Sequence, residues 1–217
     1  MELNPHDLIR IYNQDDLLTD ASLPEWAVSA LVHAPYAVVR RAPSKNGLIP
    51  VGIRGSKKNE RLPAWLISSV VYEVISPEML VSPLQWKIKQ HELNPSILSL
   101  KSITPILNQE KLYWGPTGST AFELATGIKT LTEESDLDLV LRYNNPLPIA
   151  EGLSLLDKLN KEAGVRLDIQ LETPLGGVSL AEYVNSTTVL VKTLTGPMIV
   201  DRKTLWSKLD HVMTFKQ

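Results

Sequence analysis

Two aspartates, Asp136 and Asp138, flank one leucine in the segment SDLDLVLRY, and a third, Asp168, lies in the segment VRLDIQLET. The strict alternation of polar and apolar residues predicts a β-strand in each segment, with Asp136 and Asp138 on one face and the leucines on the other. If the two strands are neighbours, the three carboxylates form one patch. Hard oxygen donors of this kind hold one or two Mg²⁺ ions, and such ions stabilise the in-line transfer of a phosphoryl or nucleotidyl group.

A glycine turn precedes the two strands. In the segment WGPTGSTAFELATG, Gly118 and Ser119 follow a predicted strand and open a predicted short helix, with Ser119 as its N-cap and Gly127 just past its end. The free N–H groups at a helix N-terminus favour an anion. Gly118 would let the backbone approach a pyrophosphate, and the Ser119 hydroxyl would donate a hydrogen bond to it.

Each of these motifs has a plainer interpretation when it stands alone. An Asp-x-Asp pair on a strand is usually exposed surface, and a stretch such as GPTGS is usually an ordinary turn. The order along the chain is more specific: a strand, Gly-Ser, a helix, a strand with Asp-x-Asp, a helix, and a strand with Asp. That order favours catalysis.

A basic segment lies far upstream of these motifs. Residues 40–61 contain seven bases and one acid, Glu60, so the segment carries +6 and the rest of a chain with a net charge of −2 carries −8. Such a local field attracts phosphates or an acidic partner, although a solvated loop would show the same composition. Arg54 and Arg61 are the first candidates for phosphate contacts, and Lys192 is a weaker one. The seven bases are Arg40, Arg41, Lys45, Arg54, Lys57, Lys58 and Arg61.

Composition excludes several classes of function. The chain has no cysteine, which rules out disulfides, thiolate catalysis and cysteine-ligated zinc. No Gly-x-Ser-x-Gly elbow is present, which argues against a hydrolase triad. The short basic segment and the slightly acidic net charge argue against nucleic-acid binding. The histidines lack zinc-type spacing and are expected in ordinary buried or surface positions: His6, His33, His91 and His211.

The location expected from the sequence is the cytoplasm. No stretch is apolar for long enough to span a bilayer, and the segment WLISSVVYEVI is interrupted by two serines and a glutamate. The N-terminus shows no basic region followed by an apolar run, so no secretory signal is visible. The sequence therefore predicts a soluble protein without membrane association.

Two domains are expected, with an N-terminal α/β domain over residues 1–80 and a catalytic domain over residues 81–217. In the first, LPEWAVSALVHA predicts a helix, YAVVRRA and LIPVGIRG predict a hairpin, and PAWLISSVVYEV predicts a helix ending near Val74. The proline-containing junction that follows predicts two short helices. From Leu112 onward the pattern predicts β-α-β-α-β, then a helix in LAEYVN, a strand in TVLVKTL and a last helix in TLWSKLD, which is typical of an α+β sheet with helices on one side.

The Gly118-Ser119 pair, the Asp136–Leu139 motif and Asp168 together resemble the signature of the nucleotidyltransferase superfamily, whose domain has the polymerase-beta-like fold. Four further stretches resemble, more narrowly, the phosphoribosyl-dephospho-CoA transferases that make the holo acyl carrier protein of malonate decarboxylase. These stretches are PHDLIRI, VVRRA with IPVGIRG, WGPTGSTAFELATG and VLVKTLTGP, and they are spread over nearly the whole chain.

The resemblance implies a specific reaction. The enzyme would take 2'-(5''-triphosphoribosyl)-3'-dephospho-CoA, transfer its phosphoribosyl-dephospho-CoA part to a serine of the carrier protein, and release pyrophosphate. By position, Asp136 and Asp138 would coordinate two Mg²⁺ ions, and Asp168 would complete one metal site and help to activate the serine. Gly118 and Ser119 would bind the leaving pyrophosphate. The basic segment would meet the remaining phosphates or an acidic surface of the carrier.

Two alternatives stay open at this point. Another nucleotidyltransferase, one that adenylylates a small molecule or a protein with ATP, fits the three carboxylates and the Gly-Ser turn equally well. A non-catalytic binding or scaffold protein on a decayed nucleotidyltransferase fold is more distant, because all three carboxylates are present. Use of ATP in place of the CoA derivative would favour the first alternative, and failure to bind Mg²⁺ with nucleotide would favour the second.

Overall fold

The computed structural model of the protein describes residues 3–57, 59–87, 94–110, 112–143 and 145–206. Four features discussed above lie outside these ranges. They are Lys58, His91, His211 and the end of the predicted C-terminal helix.

The described residues form two six-stranded sheets and five α-helices, which confirms an α+β protein. Every strand pair of the first sheet is antiparallel, so the N-terminal half is α+β and not the predicted α/β. The second sheet is mixed, as predicted, because one of its pairs is parallel. Among the described residues, no helix is both long and apolar enough to cross a bilayer.

The first sheet has the strand order β2-β5-β4-β3-β1-β6, and one α-helix accompanies it. Its elements are β1 (Leu8–Arg10), β2 (Leu17–Leu18), α1 (Glu25–His33), β3 (Tyr36–Val39), β4 (Leu48–Arg54), β5 (Arg61–Ile67) and β6 (Val74–Ile75).

Two of the three predictions for this half are confirmed. The helix is α1, and the hairpin is β3 with β4, which pair antiparallel. The predicted helix ending near Val74 is wrong, because this segment contains β5, a short 3-10 turn and β6. β5 pairs with β4 along seven residues and buries Ala64 and Leu66, which are two positions apart. The apolar content of this run fits a helix as well as a strand, and its alternating burial identifies it as a strand.

The second sheet has the strand order β12-β11-β10-β9-β8-β7. Its elements, with the four helices of this half, are α2 (Pro95–Gln109), β7 (Tyr113–Pro116), α3 (Gly118–Thr126), β8 (Leu137–Arg142), α4 (Ile149–Glu162), β9 (Leu167–Thr173), β10 (Gly176–Ser179), α5 (Leu180–Asn185), β11 (Thr188–Thr193) and β12 (Gly196–Asp201).

The predicted β-α-β-α-β order is present as β7, α3, β8, α4 and β9. The chain leaves β8, passes through α4 and returns as β9 parallel to β8, as a parallel pair requires a long crossover. β10 and β12 were not predicted, because their sequences contain glycine and proline. Residues Arg202–Trp206 form a 3-10 helix where the last helix was predicted to begin.

In the described part of the junction before β7, where two short helices were predicted, the structure has one α-helix of 15 residues, α2. Asn94 caps it by accepting a hydrogen bond from the backbone N–H of Ser96 at 2.9 Å. Pro105 lies inside the helix, on its exposed side, and removes one backbone hydrogen bond there. The opposite side buries four large aliphatic residues completely, which offsets that loss: Ile97, Leu100, Ile103 and Leu107.

The two halves are in close contact at their junction. A 3-10 turn, Pro77–Val81, packs on β7, where a Cβ atom added to Gly115 would lie 2.1 Å from the carbonyl carbon and oxygen of Pro77. The main hydrophobic core also continues from the second half into the first, through Leu8, Tyr36 and Leu80. The two sheets are therefore joined by a shared core; the division into domains at residue 80 stays a prediction.

Candidate active site

Asp138 and Asp168 lie side by side on the parallel strands β8 and β9. They are partners in the strand register, so their side chains emerge on the same face of the sheet. Asp138 is half-buried and Asp168 is exposed. The observed strand β8 begins at Leu137, later than predicted, so Asp136 lies just before the strand and not on it.

The neighbourhood of Asp138 is short of positive charge. Burial, followed by the charges of Asp168 and Asp136, raises the pKa of Asp138 to about 6. Lys192 and Arg166 lower this pKa, but they do not outweigh the other causes. A group that holds its proton into the weakly acidic range marks a place where a cation would bind favourably.

Asp136 is held by a basic side chain from the start of β9. The guanidinium of Arg166 donates a hydrogen bond to its carboxylate and forms an ion pair with it. The Arg166 side chain is largely exposed, so the pair contributes little to stability. In this structure it places the Asp136 carboxylate beside the Arg166 guanidinium.

The Gly-Ser turn lies against Asp138. Gly118 has a φ of +60°, and a Cβ atom added there would be 2.0 Å from Asp138 Oδ2, so both the backbone and the space at this position require glycine. The backbone N–H of Thr117 donates to the Asp138 carbonyl at 2.8 Å, which joins the turn to β8. The N-terminus of α3 and the carboxylate of β8 are thus neighbours.

Ser119 is not the N-cap that the sequence predicts. The helix begins at Gly118, two residues earlier than a Ser119 cap would place it, and its N-cap is Thr117, which forms no side-chain capping bond. The Ser119 hydroxyl instead accepts a hydrogen bond of 3.0 Å from Nη2 of Arg54. Gly127 has a φ of +74° just past the helix end, as predicted.

Arg54 and Arg61 are direct partners across the antiparallel pair of β4 and β5. Like charges at opposed positions are unfavourable unless an anion lies between them. Burial, and then the charge of Arg61, lower the pKa of Arg54 to about 10, so the Arg54 guanidinium is still charged at neutral pH. Arg54 Nε is buried and has no hydrogen-bond partner among the described residues, although the guanidinium lies 5.3 Å from the ring centre of Phe122.

Two adjoining cavities join these groups into one cleft between the sheets. The larger, of about 540 Å³, is lined by Arg40, Arg54 and Arg61 from the first half and by Gly118, Ser119 and Asp138 from the second. The smaller, of about 160 Å³, is lined by Asp168, Gln170 and Lys192. His6, Gly118 and Asp138 line both cavities. One end of the cleft is therefore basic and the other contains the carboxylates.

Three lining residues were not predicted as site residues. Gln170 lies two positions after Asp168 on β9, so the alternation of VRLDIQLET already indicates its face. Arg40 belongs to the basic segment but carried no individual signal. His6 lies in the quoted stretch PHDLIRI, where neither spacing nor periodicity distinguishes it from an ordinary histidine. Lys192, the weaker candidate, lies in the smaller cavity and donates to Gln170 Oε1 at 3.2 Å.

The carboxylates fit Mg²⁺ in part. Asp138 and Asp168 offer two hard oxygen donors in neighbouring positions. The pKa of Asp138 is raised first by burial and then by the charges of Asp168 and Asp136, and a divalent cation would offset both effects. No group of three or more acidic or histidine residues within the described part of the chain is already arranged as a metal site. The third carboxylate would join only if Asp136 exchanged its Arg166 partner for the ion.

Two protein-family models match the chain. The model of the N-terminal domain of phosphoribosyl-dephospho-CoA transferase MdcG matches residues 4–77, and the model of the C-terminal domain of the same protein matches residues 84–203. Together they cover both sheets and the cleft between them.

Curated proteins also resemble the chain over most of its length. A protein named phosphoribosyl-dephospho-CoA transferase from Azotobacter vinelandii is 36% identical over 197 residues, which is 90% of this chain and 92% of that protein. Proteins of the same name from Pseudomonas putida and Pseudomonas aeruginosa are 39% and 33% identical, covering 90% and 91% of this chain and 92% and 91% of their own lengths. No solved structure matches the chain.

Proposed function

The chain belongs to the phosphoribosyl-dephospho-CoA transferase family and is a transferase enzyme, and we propose that it acts on the acyl carrier protein of malonate decarboxylase. It would transfer the phosphoribosyl-dephospho-CoA group from 2'-(5''-triphosphoribosyl)-3'-dephospho-CoA to a serine of the carrier and release pyrophosphate. The observation that best supports the proposal is that Asp138, Gly118 and Arg54 line one cleft.

The C-terminal half, residues 81–217, would be a nucleotidyltransferase domain with the polymerase-beta-like fold, following a separate N-terminal domain over residues 1–80. The order of β7, α3, β8, α4 and β9 supports the proposed fold. So does the pairing, which is antiparallel between β7 and β8 and parallel between β8 and β9. This arrangement gives the Gly-Ser turn and two of the aspartates a common edge.

The triphosphate would lie across the boundary of the two cavities. Arg54 and Arg61 would contact its terminal phosphates, because two opposed guanidinium groups suit an anion with several oxygens. Gly118 and Ser119 would bind the same pyrophosphate through the N-terminus of α3. The α-phosphorus would then lie beside Asp138, and the carrier serine would approach it through the smaller cavity, which Asp138 and Asp168 line.

Mg²⁺ is the proposed cofactor, held by Asp138 and Asp168 and, after exchange of its arginine partner, by Asp136. When bound, it would neutralise charge on the phosphate oxygens and so favour substitution at phosphorus. The chain's own residues would hold the donor and acceptor in line, which converts a reaction between two molecules into one within a complex.

In the proposed step, the serine oxygen forms a bond to the α-phosphorus. The bond from that phosphorus to the oxygen bridging to the β-phosphate breaks, and pyrophosphate leaves with the bridging oxygen. Asp168, which is exposed at the opening of the smaller cavity, would take the serine proton as the bond forms. No oxidant, reductant or further reactant is needed.

Pyrophosphate release tests this function directly. The purified protein is incubated with Mg²⁺, the triphosphoribosyl precursor and the apo carrier protein, and ATP is offered in a parallel reaction. We expect release with the precursor, together with a gain in carrier mass equal to one phosphoribosyl-dephospho-CoA group. Both signals should disappear in Asp136→Asn.

Each other outcome has a definite meaning. Release only with ATP would transfer the protein to another nucleotidyltransferase class, and release without a change in carrier mass would exclude this acceptor. No release with either substrate, from a folded protein, would contradict a catalytic role for the aspartates. Activity retained in Asp136→Asn would contradict the role of Asp136 in holding metal.

A further inference from the structure

His6 is the one histidine that lies in the described part of the cleft, and it lines both cavities at the position where they meet. It comes from the segment before β1, so a residue of the first half of the chain lies in the cavities that contain the carboxylates of the second half. Gly118 and Asp138 share this boundary with it. Any substrate that extends from the basic end of the cleft to the carboxylates must pass this imidazole.

The backbone at His6 is held in an unusual conformation. Its φ is +80°, in the left-handed region that non-glycine residues rarely occupy. Its N–H donates to the Val39 carbonyl at 3.0 Å, which ties it to β3. Backbone strain of this kind persists where surrounding contacts impose it, and it is common at ligand-binding positions. The conformation fixes where the imidazole enters the cleft.

The hydrogen bonds of Gln170 determine which nitrogen of His6 carries a proton. Lys192 can only donate, so the Gln170 oxygen faces it at 3.2 Å; the Glu172 carboxylate accepts, so the Gln170 Nε2 faces it at 2.7 Å. The same Gln170 nitrogen lies 2.9 Å from His6 Nε2. Because an amide nitrogen only donates, His6 Nε2 must accept, and the proton of a neutral ring lies on Nδ1.

The Nδ1–H group is the hydrogen-bond donor that the ring has left to offer. Nδ1 forms no hydrogen bond with a described residue, and His6 is only partly buried and lines both cavities. It is therefore reachable by a ligand. It is the one polar group of the ring that remains available, since Gln170 occupies the other nitrogen.

The surroundings keep the ring neutral. Burial lowers the pKa of His6 to about 4, and Arg41, Arg142 and Lys192 lower it as well, whereas Glu172 raises it. These four groups come from the segment after β3 and from β8, β11 and β9, and they are the charged groups that affect the ring. At neutral pH the imidazole presents a hydrogen-bond donor and no positive charge.

We propose that His6 is a substrate-contacting residue whose Nδ1–H donates a hydrogen bond to a phosphate oxygen of the donor, next to the reacting phosphorus. The proposal rests on the proposed function. It assigns His6 no role as a general base for the serine, because its lone pair at Nε2 already accepts from Gln170. The donor would be set before the substrate arrives and would require no proton transfer.

A matched pair of variants isolates this hydrogen bond. His6→Asn and His6→Gly both tolerate a positive φ, but an asparagine amide can replace the Nδ1–H donor and glycine cannot. We expect kcat for pyrophosphate release to fall about 100-fold in His6→Gly, the typical effect of losing one donor to a developing charge, and less than about tenfold in His6→Asn. His33→Asn is the control, because His33 is exposed and its ring contacts Ser29 of its own helix.

The pH profile and the ring tautomer distinguish a donor from a base. If His6 is a donor, the profile of kcat in His6→Asn keeps the shape of the wild-type profile, whereas loss of an acidic limb would contradict the proposal. In the full-length protein without substrate, nitrogen-15 NMR should show the Nδ1–H tautomer for the signal that His6→Asn removes, from pH 8 down to about pH 5, above the pKa of about 4. The Nε2–H tautomer, or a charged ring, would overturn it.

The experiments distinguish failure of the proposed function from failure of the His6 contact. If the wild type releases no pyrophosphate from the precursor, the proposed function fails whatever the tautomer is. If the wild type is active and His6→Gly equals it while both remain folded, the contact of His6 with substrate is refuted. Thermal unfolding followed by circular dichroism verifies that the variants are folded.

Discussion

The two halves of the molecule contribute opposite charges to the cleft, and they assemble them differently. In the second half, Asp138 and Asp168 are brought together by the parallel register of one sheet. In the first half, Arg54 and Arg61 are brought together by an antiparallel pair, and they face the carboxylates only because the two sheets are packed against each other. The acidic site is therefore local to one sheet, whereas the basic site depends on the contact between sheets.

The difference separates chemistry from substrate binding. A carboxylate pair within one sheet keeps its spacing even if the halves shift, which suits a site where metal geometry must be exact. The arginines act on a flexible, highly charged group that tolerates small changes of position. Substitutions in the two halves should therefore change different kinetic constants, and they can be ranked by size.

The largest effect is expected from Asp138→Asn. If Asp138 holds metal beside the reacting phosphorus, as proposed, its loss should lower kcat for pyrophosphate release by about 1,000-fold or more, corresponding to several kcal/mol of transition-state stabilisation. Binding of pyrophosphate, measured by calorimetry, should change little, because Arg54 is intact. Asp157→Asn is the control, since Asp157 is an exposed residue of α4 paired with Lys161. An unchanged kcat in Asp138→Asn would contradict the assignment of the chemical step to the second half of the molecule.

Arg54→Gln should affect binding more than chemistry. It removes a charged hydrogen-bond donor from the anion site, so we expect the KM for the precursor to rise about 10- to 100-fold with a smaller change in kcat. Affinity for Mg²⁺ in the absence of substrate should be retained. Lys57→Gln, which changes a mostly exposed base of the same segment, should leave both constants unchanged. A loss confined to kcat would contradict the role in binding.

The contact between the halves is tested by Glu172→Gln. Glu172 on β9 forms an ion pair with Arg41 of the first half, and both side chains are about 15% exposed or less. Removing one charge leaves the other buried, so the free energy of unfolding in urea should fall by about 3 kcal/mol. The double variant Arg41→Met with Glu172→Met should regain most of it. If Glu172→Gln unfolds like the wild type, the pair does not hold the halves together.

The smallest effect is a gain in stability from Asp138→Asn in metal-free protein. The pKa of Asp138 is raised to about 6, above its value of 3.8 in the unfolded chain, so its contribution to stability is greatest below pH 3.8 and is lost as the pH rises through 6. Asparagine does not ionise, so the variant does not lose this stability as the pH rises. At pH 8, with a chelator present, the variant should unfold at a free energy about 2 kcal/mol higher than the wild type.

The pH dependence provides the check on that gain. The difference between variant and wild type should shrink as the pH falls from 8 through 6 and disappear below pH 3.8, where Asp138 is protonated in both the folded and the unfolded state. His6 changes in the opposite sense, because its pKa is lowered to about 4 and its contribution is lost as the pH falls from 6.5 toward 4. A difference that grows at low pH would contradict the assignment to Asp138.

Sequence patterns were sufficient where a feature is local. Alternation predicted β8 and β9, and the glycine signal predicted the end of α3. The common face of Asp138 and Asp168 was predicted only on the condition that the two strands are neighbours, which their parallel pairing meets. The same reasoning failed for the segment of β5, since a continuous apolar run fits a helix or a strand until its pairing with β4 is known. β10 was missed because its Gly-Gly start is read as a turn.

Features that depend on distant contacts had no comparable signal. Ser119 looked like a helix cap, but Arg54, sixty-five positions away, binds its hydroxyl. Asp136 pairs with Arg166, the residue just before β9, and the alternation of the two strands does not indicate this ion pair. His6 is a site residue only because of its left-handed backbone and the network of Gln170. Charge counting did select Arg54 and Arg61, but their opposition across two strands required the fold.

The close packing of Gly115 on Pro77 restricts how the cleft can open. No space for even a methyl group lies between Gly115 and Pro77, so moving Pro77 away from β7 would break this close contact. If the first sheet rotated away from the second while this contact was kept, the axis would lie in the chain before Pro77, near the short β6 that ends at Ile75. Such a rotation would move Arg54 of β4 and Arg61 of β5 and would leave the aspartates in place. The half of the molecule that carries the arginines would then be the half that moves.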